Sequence, residues 1–84
     1  MKLKVGQIYE IRPGEWLRCD DPSAYVGEML PQGEKFVLLS GPHDQNFVYP
    51  KLFSEYYFVL TNGKVRRIFA DKATIMYIVG VHVP

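Results

Sequence analysis

The sequence predicts an all-β fold: a small barrel of about five to six short antiparallel strands, with one short 3₁₀ turn before the last strand. Gly and Pro recur at short intervals along the 84 residues, and the runs between them are too short for most helices but suit strands. The pair Asn62-Gly63 separates two apolar runs, as in a two-residue hairpin. The last apolar run, "IMYIVGVHVP", is rich in β-branched residues.

The first strand is predicted near Val5–Arg12, where alternation places Val5, Tyr9 and Ile11 on one face. The pair Pro13-Gly14 then turns the chain into "EWLRC". The start of the chain therefore favours a half-buried strand followed by a tight turn.

The middle of the chain predicts one further strand and one long irregular stretch. The run "GEKFVLLSG" is apolar on both faces and is expected to end at Gly41-Pro42. In "GPHDQNFVYPKLFSE", Pro50 argues against a central strand, because proline cannot donate to a sheet ladder.

The stretch "YYFVLTNGKVRRIF" is the strongest local signal, because both positions of a type I′ turn need positive φ and Asn-Gly provides it. A two-residue loop fixes the register: Thr61 opposite Lys64, Leu60 opposite Val65, Val59 opposite Arg66, and Phe58 opposite Arg67. We expect one face of this hairpin to pack inward, with Arg67 at its rim. That face consists of Tyr56, Phe58, Leu60, Val65 and Phe69.

The end of the chain predicts one short turn and a closing strand. In "ADKAT", Asp71 is a candidate cap for a single 3₁₀ turn. The final run then favours a largely buried strand over a helix, because Gly80 interrupts it and β-branched residues dominate it.

From Glu55 to Val79 the order of hairpin, single turn and closing strand resembles the second half of small SH3-like β-barrels. The opening "VGQIYEI" is compatible with the first half. The chain also loosely resembles small barrel proteins encoded by bacteriophages, which have a similar strand, Asn-Gly turn and basic strand. These resemblances imply a binding module and bring no catalytic residues with them.

Size and composition indicate one soluble domain spanning residues 1–84. Hydrophobic residues make up 48% of the chain and charged residues 23%, which suits a folded chain. A single cysteine, Cys19, favours a reducing compartment. The N-terminus does not read as a signal peptide, and no apolar run approaches the ~18–20 residues of a membrane span. We therefore expect a cytoplasmic protein, in the cytoplasm of a host cell if the protein is viral.

The net charge of +1 predicts no strong bulk attraction to nucleic acid, but the charges are unevenly spread. Acidic residues dominate between Glu15 and Glu34, and basic residues dominate between Lys64 and Lys72. Nucleic-acid binding is thus the alternative function, because cations contact phosphates and an exposed ring can stack on bases. Its candidate residues are Tyr57, Lys64, Arg66 and Arg67.

The surplus of amphipathic aromatic side chains favours protein binding over nucleic-acid binding. Trp16, next to a turn, is expected to be an exposed anchor. The other candidates are Tyr25 and, in the long irregular stretch, Phe47 and Tyr49. An exposed edge at "MYIVGVHV" would in addition permit a homo-oligomer or a docked strand.

Catalytic and metal sites are not expected. Cys19 and His43 could be imagined as a nucleophile and base, but any chain with one cysteine and two histidines permits that pairing. No zinc spacing and no glycine-rich phosphate loop is present, and Asp20-Asp21-Pro22-Ser23 suits a turn. The sequence therefore predicts a non-enzymatic protein-interaction module without cofactors. The phage resemblance suggests a virion component, or a binder or inhibitor of a host factor.

Overall fold

The computed structural model describes residues 3–24, 26–44, 55–70 and 72–83, and of Lys72 the backbone only. The elements in chain order are β1 (Ile8–Ile11), β2 (Leu17–Asp20), β3 (Gly27–Leu30), β4 (Lys35–Asp44), β5 (Glu55–Thr61), β6 (Lys64–Phe69), α1 (Lys72–Ile78) and β7 (Val79–Val81).

The seven strands form one antiparallel sheet in the order β3-β2-β6-β5-β4-β1-β7, curled into a half-barrel. The all-β prediction is confirmed, and the residues that the structure describes form seven strands where five to six were predicted. β3 and β7 lie at its two ends. No helix in the described ranges is long and apolar enough to cross a membrane.

The predicted register of the β5–β6 hairpin is confirmed. Thr61 lies opposite Lys64, Leu60 opposite Val65, and the pairing continues to Tyr56 opposite Phe69. Asn62 and Gly63 both have positive φ, 51° and 73°, as a type I′ turn requires. The turn residues therefore determine this pairing locally.

The prediction of which hairpin face packs inward was wrong. The buried side chains come from the alternate set, which includes Tyr57, Val59 and Ile68, whereas Leu60 and Val65 are 38% and 45% exposed. Both faces of the hairpin are apolar, so its own residues did not decide between them. The neighbouring strands did, because their large buried side chains lie on the Val59 side of the sheet: Tyr9 and Ile11 on β1, Phe36 and Leu38 on β4. We call this side the core face and the opposite side the outer face.

β1 is shorter than predicted, and its alternation fails at one end. Tyr9 and Ile11 are buried as expected, but Val5 is 66% exposed. Gly6 has a φ of 85°, which breaks the extended backbone between Val5 and β1. The alternation of buried and exposed side chains predicted from Val5 onward therefore begins only after Gly6.

β4 continues through Gly41-Pro42 to Asp44 instead of ending there, with register shifts against β5 between Leu38 and His43. Gly41 makes this possible, because a Cβ at its position would lie 2.7 Å from Cδ2 of Tyr57. Pro50 and the remainder of the predicted irregular stretch lie outside the described residues.

The prediction of a strand over the last apolar run was wrong for its first half. Lys72–Ile78 form an α-helix of seven residues in place of a 3₁₀ turn, and Val79–Val81 alone pair with β1. The helix places Ile75, 1% exposed, in the core, and Tyr77, 77% exposed, in solvent. Burial of one helical face outweighs the weak preference of these residues for strands.

Candidate interaction surface

Of the four residues predicted to bind a protein, the structure describes one. Trp16 lies just before β2 and is 55% exposed, so the expectation of an exposed side chain is confirmed for it. Tyr25, Phe47 and Tyr49 lie outside the described residues.

The basic and aromatic residues predicted for nucleic acid do not form one exposed surface. Tyr57 is 2% exposed, so the expectation that its ring could stack on bases was wrong. Arg66 and Arg67 are also buried, and Lys64 alone of the four is exposed. A single exposed cation carries no argument for nucleic-acid binding.

Arg67 is held on the outer face by an ion pair with Asp20 of β2, its cross-strand neighbour. Its Nε donates to Asp20 Oδ1 at 2.8 Å and its Nη2 donates to Oδ2, which makes the pair bidentate. The guanidinium carbon lies 5.9 Å from the ring centroid of Tyr56 and 5.7 Å from that of Phe69. The Arg67 charge therefore stabilises the packing of β2 on β6.

Arg66 lies on the core face of β6 and contacts acidic side chains of the β2–β3 hairpin. Its guanidinium lies 3.4 Å from Asp21 Oδ2 and 3.7 Å from Glu28 Oε1. Asp21 also closes its own turn, accepting hydrogen bonds from the backbone and hydroxyl of Ser23, which lower the pKa of this carboxyl. The turn predicted for Asp20-Asp21-Pro22-Ser23 is thus confirmed, and its acids also anchor β2 and β3 to β6.

The side chains considered for nucleophilic chemistry lie apart. Cys19 is fully buried on the core face, and desolvation raises the pKa of its thiol to about 11, with a smaller contribution from Glu28. His43 contacts the rings of Tyr56 and Phe58 and bonds to Ser40 Oγ at 2.9 Å. No cluster of three or more metal-ligating side chains occurs in the part of the chain that the structure describes.

The outer face carries a continuous line of apolar side chains across four strands. Ile8 lies opposite Val37, Val37 opposite Leu60, and Leu60 opposite Val65. Ile8, Leu60 and Val65 are each 38–45% exposed. We call these four residues the apolar row. The sequence did not show it, because its members come from strands that are neighbours only in the folded sheet.

An ion pair lies on each of two sides of the apolar row. On one side Lys35 Nζ lies 3.6 Å from Glu10 Oε1, and on the other side Arg67 is paired with Asp20. The row therefore presents an uncharged surface between two neutralised pairs.

The two ends of the sheet differ in how open they are. At β7, Arg12 N donates to Ile78 O and His82 N donates to Ile8 O. Because hydrogen-bonded pairs alternate along an antiparallel ladder, the N–H and C=O groups of Val79 and Val81 point away from β1. Arg12 Nε donates a hydrogen bond to the Val79 carbonyl oxygen at 2.9 Å, and the Arg12 side chain lies over Gly80. The β7 edge expected to pair with another strand is thus partly blocked.

At the opposite end, β3 has no strand beyond it and no such cover among the described residues. A shallow depression of about 350 Å³ lies on this edge, lined by Arg18, Gly27, Glu28 and Met29. Val26 and Met29 are more than half exposed.

Comparisons of this chain with protein-family models, curated proteins and solved structures gave no match.

Proposed function

We propose that the protein is a non-catalytic module that binds another protein through its outer face. The observation that carries this proposal is the apolar row. Four neighbouring uncharged side chains on a sheet surface suit a dry contact with an apolar protein surface and offer nothing to phosphates. Trp16, exposed near β2, supplies a side chain of the type that anchors such interfaces.

As part of the same proposal, we assign the fold to the SH3-like β-barrels. A curled antiparallel sheet whose hairpin turns at Asn62-Gly63 supports it, and the order of hairpin, short helix and closing strand is compatible with it. By its resemblance to small phage-encoded barrels, we propose that the module serves as a virion component or as a binder of a host factor.

The test is affinity capture from a bacterial lysate, with nuclease treatment in parallel. The wild-type chain is compared with Leu60→Lys/Val65→Lys, which places two charges in the apolar row without touching the core. The matched control is Val5→Lys/Tyr77→Lys, because both residues are exposed and lie outside the row.

We expect a protein that survives nuclease treatment, is retained by the control variant and is lost by the row variant. Equal capture by both variants, or loss of all captured protein on nuclease treatment, would contradict the proposal. Circular dichroism of both variants verifies that the sheet is intact.

A further inference from the structure

The β3 edge presents backbone groups that can accept another strand. Asp21 N donates to Val26 O at 3.2 Å, so these two residues form a hydrogen-bonded pair at the end of the β2–β3 hairpin. Hydrogen-bonded and non-hydrogen-bonded pairs alternate along an antiparallel ladder. Gly27 and Met29, opposite Asp20 and Arg18, therefore turn their N–H and C=O groups away from β2.

Gly27 has no role in the fold that would require a glycine. Its backbone is not in the left-handed region, and a Cβ built there would meet no atom within 4 Å. The chain's other glycines in turns have positive φ, and Gly41 packs against Tyr57. Gly80, the other strand glycine with an ordinary φ, lies against the Arg12 side chain. A glycine inside a strand often marks a place where another backbone or a ligand approaches closely.

Arg18 gives the edge a charge preference. Its side chain is exposed on the outer face, lines the depression beside Gly27, and has no carboxylate partner among the described residues. The two arginines of β6 differ, because each is matched by acids. An acidic side chain facing Gly27 would enter the space that the missing side chain leaves and meet the Arg18 guanidinium.

One way of pairing a second copy of the chain with this edge is disfavoured. In a two-fold antiparallel arrangement, the register that engages both Gly27 and Met29 of each copy places Glu28 directly opposite Glu28. Like charges in that position destabilise a strand pair. Glu28 also disfavours an acid directly opposite it in any added strand, that is, between the residues that face Gly27 and Met29.

We propose that the β3 edge binds an extended segment of a different protein by strand addition, and that this segment carries an acidic side chain facing Gly27 and Arg18. Two residues along the segment, an apolar side chain lies beside Met29. The inference rests on the proposed protein-binding function but on residues outside the apolar row, so the two can fail separately.

The test uses fluorescent ten-residue peptides of alternating threonine and valine as probes. One peptide carries a central aspartate and a leucine two positions before it, the order in which an antiparallel strand places them beside Gly27 and Met29. Its matched partners carry asparagine or lysine in place of the aspartate. A fourth peptide repeats the aspartate sequence with N-methyl groups on alternate backbone nitrogens. Binding is followed by fluorescence anisotropy.

We expect the aspartate peptide to bind at least tenfold more tightly than the asparagine or N-methylated peptide. Arg18→Glu is expected to reverse the preference in favour of lysine, with Lys64→Glu as the control for charge alone. Gly27→Val is expected to weaken binding at least tenfold without lowering the unfolding temperature, and Ala24→Val on the same hairpin is its control.

Three results would overturn the inference: no saturable binding of the aspartate peptide, a peptide preference unchanged by Arg18→Glu, or a wild-type dimer that Gly27→Val dissociates. Arg18→Glu changes an exposed side chain, so its result stands even if Gly27→Val alters the strand. Loss of the captured protein in the row variant together with no peptide binding would refute this inference and leave the proposed function in place.

Discussion

Arg66 and Arg67 are neighbours in sequence but lie on opposite faces of β6, and each contacts acids from the β2–β3 hairpin. This alternation explains why a basic arm does not make a basic surface. Among the described residues, the ladder between β2 and β6 has two residue pairs, Cys19 with Ile68 and Asp20 with Arg67. The ion pairs therefore hold the hairpin against the sheet on both sides.

Arg67→Met should destabilise the protein by about 3–5 kcal/mol, because it leaves the largely buried Asp20 carboxylate without its charge partner. Lys64→Met, at the exposed hairpin tip, should change stability by no more than about 0.5 kcal/mol. The free energy of unfolding in urea measures both.

The double variant Asp20→Leu/Arg67→Met distinguishes the net contribution of the ion pair to the free energy of unfolding from the destabilisation caused by one unpaired buried charge. We expect it to recover a large part of the lost stability, because it removes both buried charges together. If the double variant is as unstable as Arg67→Met alone, the loss comes from packing and not from the unpaired carboxylate.

Among the elements, the contact between β4 and β5 depends on a glycine. β4 passes through two register shifts before it reaches His43 opposite Tyr56. Gly41 lies within the second shift, between Ser40 and His43, with a φ of 128° and no room for a Cβ against Tyr57. The backbones of the two strands can therefore approach here only at a glycine.

Gly41→Ala should destabilise the protein by about 2–4 kcal/mol, since it combines backbone strain with overpacking against a buried ring. Gly27→Ala is the matched control, because Gly27 has an ordinary φ and open space, and we expect it to be neutral or slightly stabilising. Thermal unfolding of the two variants side by side would reveal equal effects if the contact with Tyr57 were unimportant.

At the scale of the whole molecule, no described strand pairs beyond β3 or β7, and the two edges differ in the side chains that cover them. Arg12 donates a hydrogen bond to the Val79 carbonyl, which points away from β1. A charged side chain placed in this way protects a sheet edge from pairing with another strand. β3 has no comparable cover among the described residues. Among the described residues, one edge of the sheet is therefore uncovered and the other is partly covered by Arg12.

Arg12→Ala should increase self-association through β7, because it frees the Val79 carbonyl and uncovers Gly80. We expect sedimentation velocity to show concentration-dependent association beyond that of the wild-type chain. Arg18→Ala removes an exposed arginine at the other edge and should leave sedimentation unchanged. An Arg12 variant that sediments like the wild-type chain would show that β7 is not guarded by this contact.

Local chemistry in the sequence determined the all-β class, the Asn62-Gly63 turn and the register of its two strands. Turn geometry and strand alternation depend on residues close together in the chain. The exposure of Trp16 was predicted from its position next to a turn. The same local reasoning failed where a segment was apolar on both faces, as in the β5–β6 hairpin.

Only the tertiary structure decided which face of the hairpin is buried, that Ile75 enters the core from a helix, and that Tyr57 and two arginines are inaccessible. These outcomes depend on which strands become neighbours and on the carboxylates they carry. The apolar row and the β3 edge have the same origin, because side chains distant in the chain meet only once the sheet order is set. Burial is a property of the assembled sheet, and no single strand specifies it.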